Sequence, residues 1–239
     1  MYPEMLGDAS MFDSTGNVSS FFAQLQEEAE AAEYSGPAII LPPTWWHDKR
    51  NQLHVIDGSG GTICVQEKQN SFLYPDDKTK REYLEDLRGT PPVVQVLHVP
   101  YIGRITFPIC KDYLVVAYRE LLARVLRSTL MLCPSYSKGK FSFHISAPAE
   151  LEYGCYSLWI NTCSALPEEE APPDYVGLIA APNTDFACSL KPQCKGQCGS
   201  ADDPCLFLVE INRTGSAPRI TVREHIHPAA EQLKKEEEP

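Results

Sequence analysis

The residues best equipped for chemistry are the cysteines of the C-terminal half, spaced Cys188-x5-Cys194-x3-Cys198-x6-Cys205. Zinc takes four thiolate or imidazole ligands in a tetrahedron, and two cysteines two to four residues apart deliver two of them from one turn. Cys194-Lys195-Gly196-Gln197-Cys198 has that spacing, with Gly196 easing the bend. The other two ligands would come from Cys110, Cys133, Cys163, Cys188 or nearby imidazoles. Cys205 opens the apolar run Cys205-Leu206-Phe207-Leu208-Val209 and reads as a buried thiol instead. The chain holds nine cysteines, an odd number that suits metal ligands and buried thiols better than a disulfide framework.

Thiol catalysis needs a thiolate beside an imidazole. His225 and His227 lie on or just after a candidate strand, but no cysteine carries a recognisable nucleophile signature, so the sequence reads as a non-enzyme. Gly58-Ser59-Gly60-Gly61 lies between two strands and reads as a hairpin turn, not a phosphate cradle.

The elements that would position these residues are mostly strands. From Trp45 onward short apolar runs alternate with turn formers: Gln52–Ile56, Thr62–Glu67, Val93–Val99, Ile105–Ile109, Lys140–Ser146, Ser157–Ile160, Leu206–Ile211 and Arg219–Glu224. Leu114–Leu132 instead has helical spacing, with Leu114, Ala117, Tyr118, Leu121, Leu122, Val125 and Leu126 on one face. Leu166–Pro192 reads as a long acidic, Pro-rich loop, and Ala229–Glu238 as a short polar helix after Pro228. Residues 1–44 form an acidic arm too poor in apolar residues for a core. Within it Ser19–Glu28 predicts a short amphipathic helix presenting Phe21, Phe22 and Leu25, the pattern of an activation segment that docks in a partner's groove.

The formal net charge is −11, and it is uneven. Residues 1–47 carry −7, residues 164–175 carry −4 and the tail from Glu224 carries −3, so the remainder is mildly basic at +3. Charge therefore neither demands nor excludes a polyanion partner. No window holds the ~18 consecutive apolar residues of a membrane span. The N-terminus also lacks the basic start and apolar stretch of a secretory signal, which predicts an intracellular protein with reduced thiols.

Cys194-x3-Cys198, then Pro204, the run Cys205–Glu210, Ile220-Thr221-Val222-Arg223 and His227-Pro228 together resemble the p-fifty-three (cellular tumour antigen) family. Phe141–Pro148 followed by Cys155–Cys163 resembles the strand pair before that family's zinc cysteines, and Thr90-Pro91-Pro92 its Pro-rich turn. The resemblance implies an immunoglobulin-like β-sandwich over residues 45–239, with zinc-pinned loops, a short C-terminal helix and an acidic insertion at 164–193. It implies Zn2+ held by Cys194, Cys198 and, as third ligand, Cys110. It further implies a nuclear, sequence-specific DNA-binding transcription factor acting on double-stranded DNA, with co-regulators engaged through the acidic arm. Arg223 would reach a base edge or phosphate, and Lys195, Arg219, Lys234 and Lys235 would reach phosphates. The sequence departs from the pattern at Asp202-Asp203, which repel phosphate, and at Ala229-Ala230, where the family carries an arginine. These departures favour the alternative, a zinc-stabilised β-sandwich that serves as an interaction or adaptor protein and no longer binds DNA.

Overall fold

The computed structural model describes residues 27, 39–41, 44–47, 49–76, 81–88, 91–100, 102–137, 140–146, 153–161, 176–182, 188–190, 206–212 and 219–225. Its first sheet grows from a strand that alternates in burial from Arg50 to Val55. In β3 (Arg50–Asp57) Asn51, Leu53 and Val55 are buried while Arg50, Gln52 and His54 are half-exposed. That period of two is what a strand with one face on a core shows. β1 (Ile39–Ile40) and β2 (Trp45–His47) follow each other along one edge of β3, and β4 (Thr62–Glu67) runs along the other, all antiparallel. The glycine-rich turn does close the β3–β4 hairpin. Asp57 Oδ1 accepts the Ser59 and Gly61 amides, each at 2.9 Å, and the chain reverses within those residues. A small ribbon follows, β5 (Leu73–Asp76) with β6 (Arg81–Leu84).

The second sheet has six strands in the order β12-β11-β10-β9-β8-β7. These are β7 (Val96–Val99), β8 (Gly103–Thr106), β9 (Leu130–Pro134), β10 (Tyr156–Ile160), β11 (Gly177–Ala180) and β12 (Cys188–Leu190). Its centre is parallel: Ile105 faces Leu130 across β8–β9, and Trp159 faces Cys133 across β9–β10. Parallel neighbours need a crossover connection, and helices supply both. α1 (Lys111–Leu114), α2 (Val116–Glu120) and a π-helical turn (Leu121–Val125) join β8 to β9, and α3 (Lys140–Ser146) joins β9 to β10. A separate antiparallel ribbon pairs β13 (Leu206–Asn212) with β14 (Arg219–His225).

This topology overturns the expected immunoglobulin-like sandwich, whose sheets are antiparallel and joined by hairpins and Greek-key connections. Three details explain the error. Lys140–Ser146 is a helix, because its buried Phe143 must pack on the sheet while Ser142 and Ile145 stay exposed. The helical run from Leu114 stops well before Leu132. Val115 is already extended, and Leu130–Pro134 is drawn between two neighbouring strands, burying Met131 and Cys133. The acidic loop at 164–193 contains two strands, β11 and β12. Most of the N-terminal arm, including Phe21, Phe22 and Leu25, and the C-terminal helix at 229–238 lie outside the described residues.

The core joins the two sheets and the crossover helices. Leu53 and Val55 from β3 share one cluster with Ile105, Phe107, Ile109, Met131, Cys133, Phe143, Trp159 and Leu178. Phe143 is its aromatic hinge, stacked 4.6 Å from Trp159 and 6.0 Å from Tyr113. Such pairs add to the burial energy of the rings themselves. Phe143→Ala should therefore lower the free energy of unfolding by about 3–5 kcal/mol, measured by urea denaturation, while Phe143→Leu costs distinctly less.

Candidate active site

Lys68 and Glu85 meet where β4 and the small ribbon end, and Asp112 binds the residues that follow Lys68. Lys68 follows the last residue of β4 and Glu85 the last residue of β6, and their Nζ and Oε1 atoms lie 2.7 Å apart. The two side chains are 1% and 2% exposed, so the pair stands in a low-dielectric interior. Charges are taken out of water there at high cost, and only close pairing with further hydrogen bonds offsets it. Glu85 has such a bond: its Oε2 accepts the Phe72 amide at 2.6 Å.

Asp112, fully buried, joins this pair to the second sheet. Its Oδ1 accepts the Asn70 amide at 2.7 Å, the Gln69 amide at 3.0 Å and Asn70 Nδ2 at 2.9 Å, and its Oδ2 accepts the Ile109 amide at 3.2 Å. The two residues after Lys68 are thus tied to the residues on either side of Cys110. Lys111 adds a second tie, donating to the Ser71 carbonyl at 2.8 Å. Burial pushes the Asp112 carboxyl up to about 6, against the opposing pull of the Asn70, Gln69 and Ile109 donors and the Lys68 charge.

Cys110 occupies the junction between the strand side and α1. It lies four residues past Thr106, the end of β8, at φ 48° and ψ −107°. Such backbone costs a residue with a side chain on the order of 1–3 kcal/mol, and it persists only where the surroundings enforce it. The enforcing bonds are its amide to the Pro134 carbonyl at 2.9 Å and the Tyr113 amide to its own carbonyl at 3.0 Å. The residue is 6% exposed, Ser135 Oγ donates to Sγ at 3.4 Å, and Sγ lies 3.9 Å from the Tyr136 carbonyl. Pro134 ends β9 and Ser135 bonds to the Ile160 carbonyl at the end of β10, so Cys110 sits at the carboxyl ends of the parallel strands. That edge is where open sheets with parallel strands place their ligands. Phe72 leads out toward solvent. Its ring is 42% exposed and lies 5.8 Å from Lys68 Nζ and 6.0 Å from Lys111 Nζ.

Among the described residues singled out from the sequence, Cys110 alone belongs to this constellation. Cys194, Cys198, Lys195, Lys234 and Lys235 lie outside the described residues. Arg219 and Arg223 are on β14, opposite Asn212 and Leu208. Lys68, Glu85 and Asp112 escaped sequence reading because pairing between chain segments 17 and more than 40 residues apart leaves no spacing signal. Cys110 did leave one: Phe107-Pro108-Ile109-Cys110 closes an apolar run just ahead of a helix, the strand-to-helix corner on which nucleophiles are displayed.

No protein-family model matches the chain, and no curated protein sequence matches it. Solved structures do. An amidase variant of the nitrilase superfamily from Nesterenkonia AN1 superposes with a TM-score of 0.56 at 15% identity, over 99% of this chain and 80% of that one. The amidase from Nesterenkonia sp. AN1 carrying acrylamide on its active-site cysteine gives 0.54 at 17% identity, over 80% and 75%. The C. elegans NitFhit protein gives 0.58 at 15% identity, over 99% of this chain and 54% of that one. The likeness shows the fold alone, an α-β-β-α sandwich like that of these neighbours.

That fold corrects the remaining expectations. The resemblance to the p-fifty-three family is overturned, because the parallel centre of the sheet has no counterpart in an antiparallel sandwich. The DNA-binding transcription factor and the zinc-stabilised adaptor fall with it, since both were drawn from that sandwich. The zinc expectation, with Cys110 as third ligand, is overturned as well. The Cys110 thiol is set against Ser135 and the Tyr136 carbonyl, and among the described residues no three His, Cys, Asp or Glu side chains gather to hold a metal. The reading as a non-enzyme is corrected as well, since proteins with this fold include amidases with an active-site cysteine.

The Asp112 clamp generates a pH signature. A carboxyl raised to about 6 binds its proton more tightly in the folded chain than at its ordinary 3.8. That contribution to stability is complete below 3.8 and is lost as pH rises through about 6. Asp112→Asn keeps one acceptor oxygen and turns an amide NH2 onto a donor, so it should cost about 1–3 kcal/mol in urea unfolding. Across the same pH range the wild type should lose stability relative to this variant; parallel pH curves would contradict the assignment.

Proposed function

We propose that the protein is a cysteine-dependent hydrolase of small carboxamides. The observation that carries this reading is Cys110 itself: a buried thiol on left-handed backbone at the carboxyl ends of the parallel strands, clamped through Asp112 to the segment bearing Lys68. Strain held in place by surrounding bonds is characteristic of side chains that must be presented to a substrate. The fold neighbours support the choice of reaction, since among them are amidases with acrylamide, or the acetamide moiety of fluoroacetamide, covalently attached at the active-site cysteine.

In this reading the Cys110 thiolate attacks the carbonyl carbon of the amide, the carbon–nitrogen bond breaks, and the amine leaves with a proton. Water then hydrolyses the thioester to a carboxylic acid and restores the thiol. Lys68 and Glu85 are the charged pair next to the segment that Asp112 ties to the Cys110 corner. The ammonium is suited to the negative charge that develops on the carbonyl oxygen, and the Glu85 carboxylate to accepting and returning the proton. The enclosure of all three residues favours short acyl groups, because a large one would have to displace the core around them.

The test is ammonia release from acetamide, propionamide and acrylamide. Wild type should turn over at least one of them, and Cys110→Ala should lower the rate by about 10^3-fold or more with its unfolding curve preserved. Ammonia release that survives Cys110→Ala would remove the thiol from the chemistry. Lys68→Met should abolish turnover as well, and should destabilise the fold by about 3–5 kcal/mol because Glu85 is left buried and unpaired.

A further inference from the structure

Thr44 stands between β1 and β2 with no exposed surface, and among the described residues its Oγ1 has no hydrogen-bond partner. A buried hydroxyl without a partner is destabilising, and a valine of the same shape would fill the space without that cost. Such a group in a native interior calls for an explanation. Strand register supplies one. Trp45 and Glu67 face Gln52 from the two edges of β3. Thr44, one residue before Trp45, therefore joins the row of Leu53 and Gln66. Lys68 joins the row of Asn51, to whose carbonyl its amide donates at 2.9 Å. Those rows are two residues apart along the strand, so their side chains point to the same side of the sheet. Burial agrees: Thr44, Asn51, Leu53, Gln66 and Lys68 are all buried, and Leu53 shares an apolar cluster with Cys110.

From this shared face we infer that the Thr44 hydroxyl is a substrate-binding group, hydrogen-bonded to the carboxamide on which Cys110 acts. The inference rests on the hydrolase reading above and extends it to a residue remote in sequence from Lys68, Glu85 and Cys110. Inside an enclosed site a carboxamide offers both a carbonyl acceptor and N–H donors, and a threonine hydroxyl satisfies either. A valine satisfies neither.

Iodoacetamide, itself a small carboxamide, reads this without requiring turnover. The alkylation rate of Cys110 would be followed by peptide mass analysis against reagent concentration, giving a half-saturating concentration and a limiting rate for wild type, Thr44→Val and Thr44→Ser. The expected result is a half-saturating concentration raised about tenfold in Thr44→Val, with the limiting rate and the thermal midpoint preserved or improved, and near wild-type behaviour in Thr44→Ser. Equal saturation in Thr44→Val and wild type would overturn the inference and assign the hydroxyl to a buried water, leaving the role of Cys110 standing. A lowered thermal midpoint in Thr44→Val with unchanged saturation would make the hydroxyl structural and overturn it equally. Wild-type Cys110 that stays unmodified while other cysteines react would overturn the hydrolase reading, and this inference with it.

Discussion

The Asp112 carboxylate is the constraint on which the rest of the site depends. It draws the amides of Gln69, Asn70 and Ile109 onto one buried group, and so fixes the loop after β4 against the corner that carries Cys110. Without it the two sheets would still share an apolar core. The segment after Lys68 would then lose its direct bonds to the Cys110 corner, keeping there the Lys111 bond to the Ser71 carbonyl. Hydrogen bonds from backbone amides to a buried carboxylate are among the stronger ones, and their geometry is directional where apolar packing is not. The site therefore inherits its precision from one side chain that is not expected to touch substrate.

Two costs are concentrated in a small volume and offset by the surroundings. One is the left-handed backbone of Cys110, held by its bonds to Pro134 and Tyr113 at the ends of two elements. The other is the burial of Lys68 and Glu85, which is tolerable only because the pair is 2.7 Å apart and Glu85 also receives the Phe72 amide. Replacing such a pair by apolar residues is often neutral or stabilising, so its presence is weak support for stability and better support for chemistry. The aromatic stack of Tyr113, Phe143 and Trp159 supplies the rigid floor. Tyr113 connects it to the site directly, one residue beyond Asp112, with its hydroxyl 2.9 Å from Ser157 Oγ on β10.

Local patterns in the sequence were legible where one strand or one turn decides the outcome. The strand read at Gln52–Ile56 lies within β3, and the Asp57–Gly61 turn and the strand at Thr62–Glu67 appear as read. Patterns failed where tertiary partners decide. Lys140–Ser146 alternates well enough for a strand, yet Phe143 is claimed by the ring stack and the segment coils. Leu130–Pro134 lies in a run with helical spacing, yet it completes a parallel sheet. The cysteines misled in another way. Their number and the Cys194–Cys198 spacing directed attention to metal, while the thiol that matters stands alone at position 110, marked only by its place between an apolar run and a helix. Ser135 reaches it from 25 residues away and Ser71 binds its neighbour Lys111 across 40, relations that the folded chain displays and the sequence does not.

The most direct test of the central claim is to expose the protein to fluoroacetamide and locate the modification by peptide mass mapping across all nine cysteines. An acetamide-sized adduct on Cys110 ahead of every other cysteine, despite a burial that shields it from bulk reagent, would show a site built to bring a carboxamide to that thiol. Modification that follows solvent exposure, with Cys110 spared, would show Cys110 to be a buried structural thiol and would leave the fold without the chemistry assigned to it.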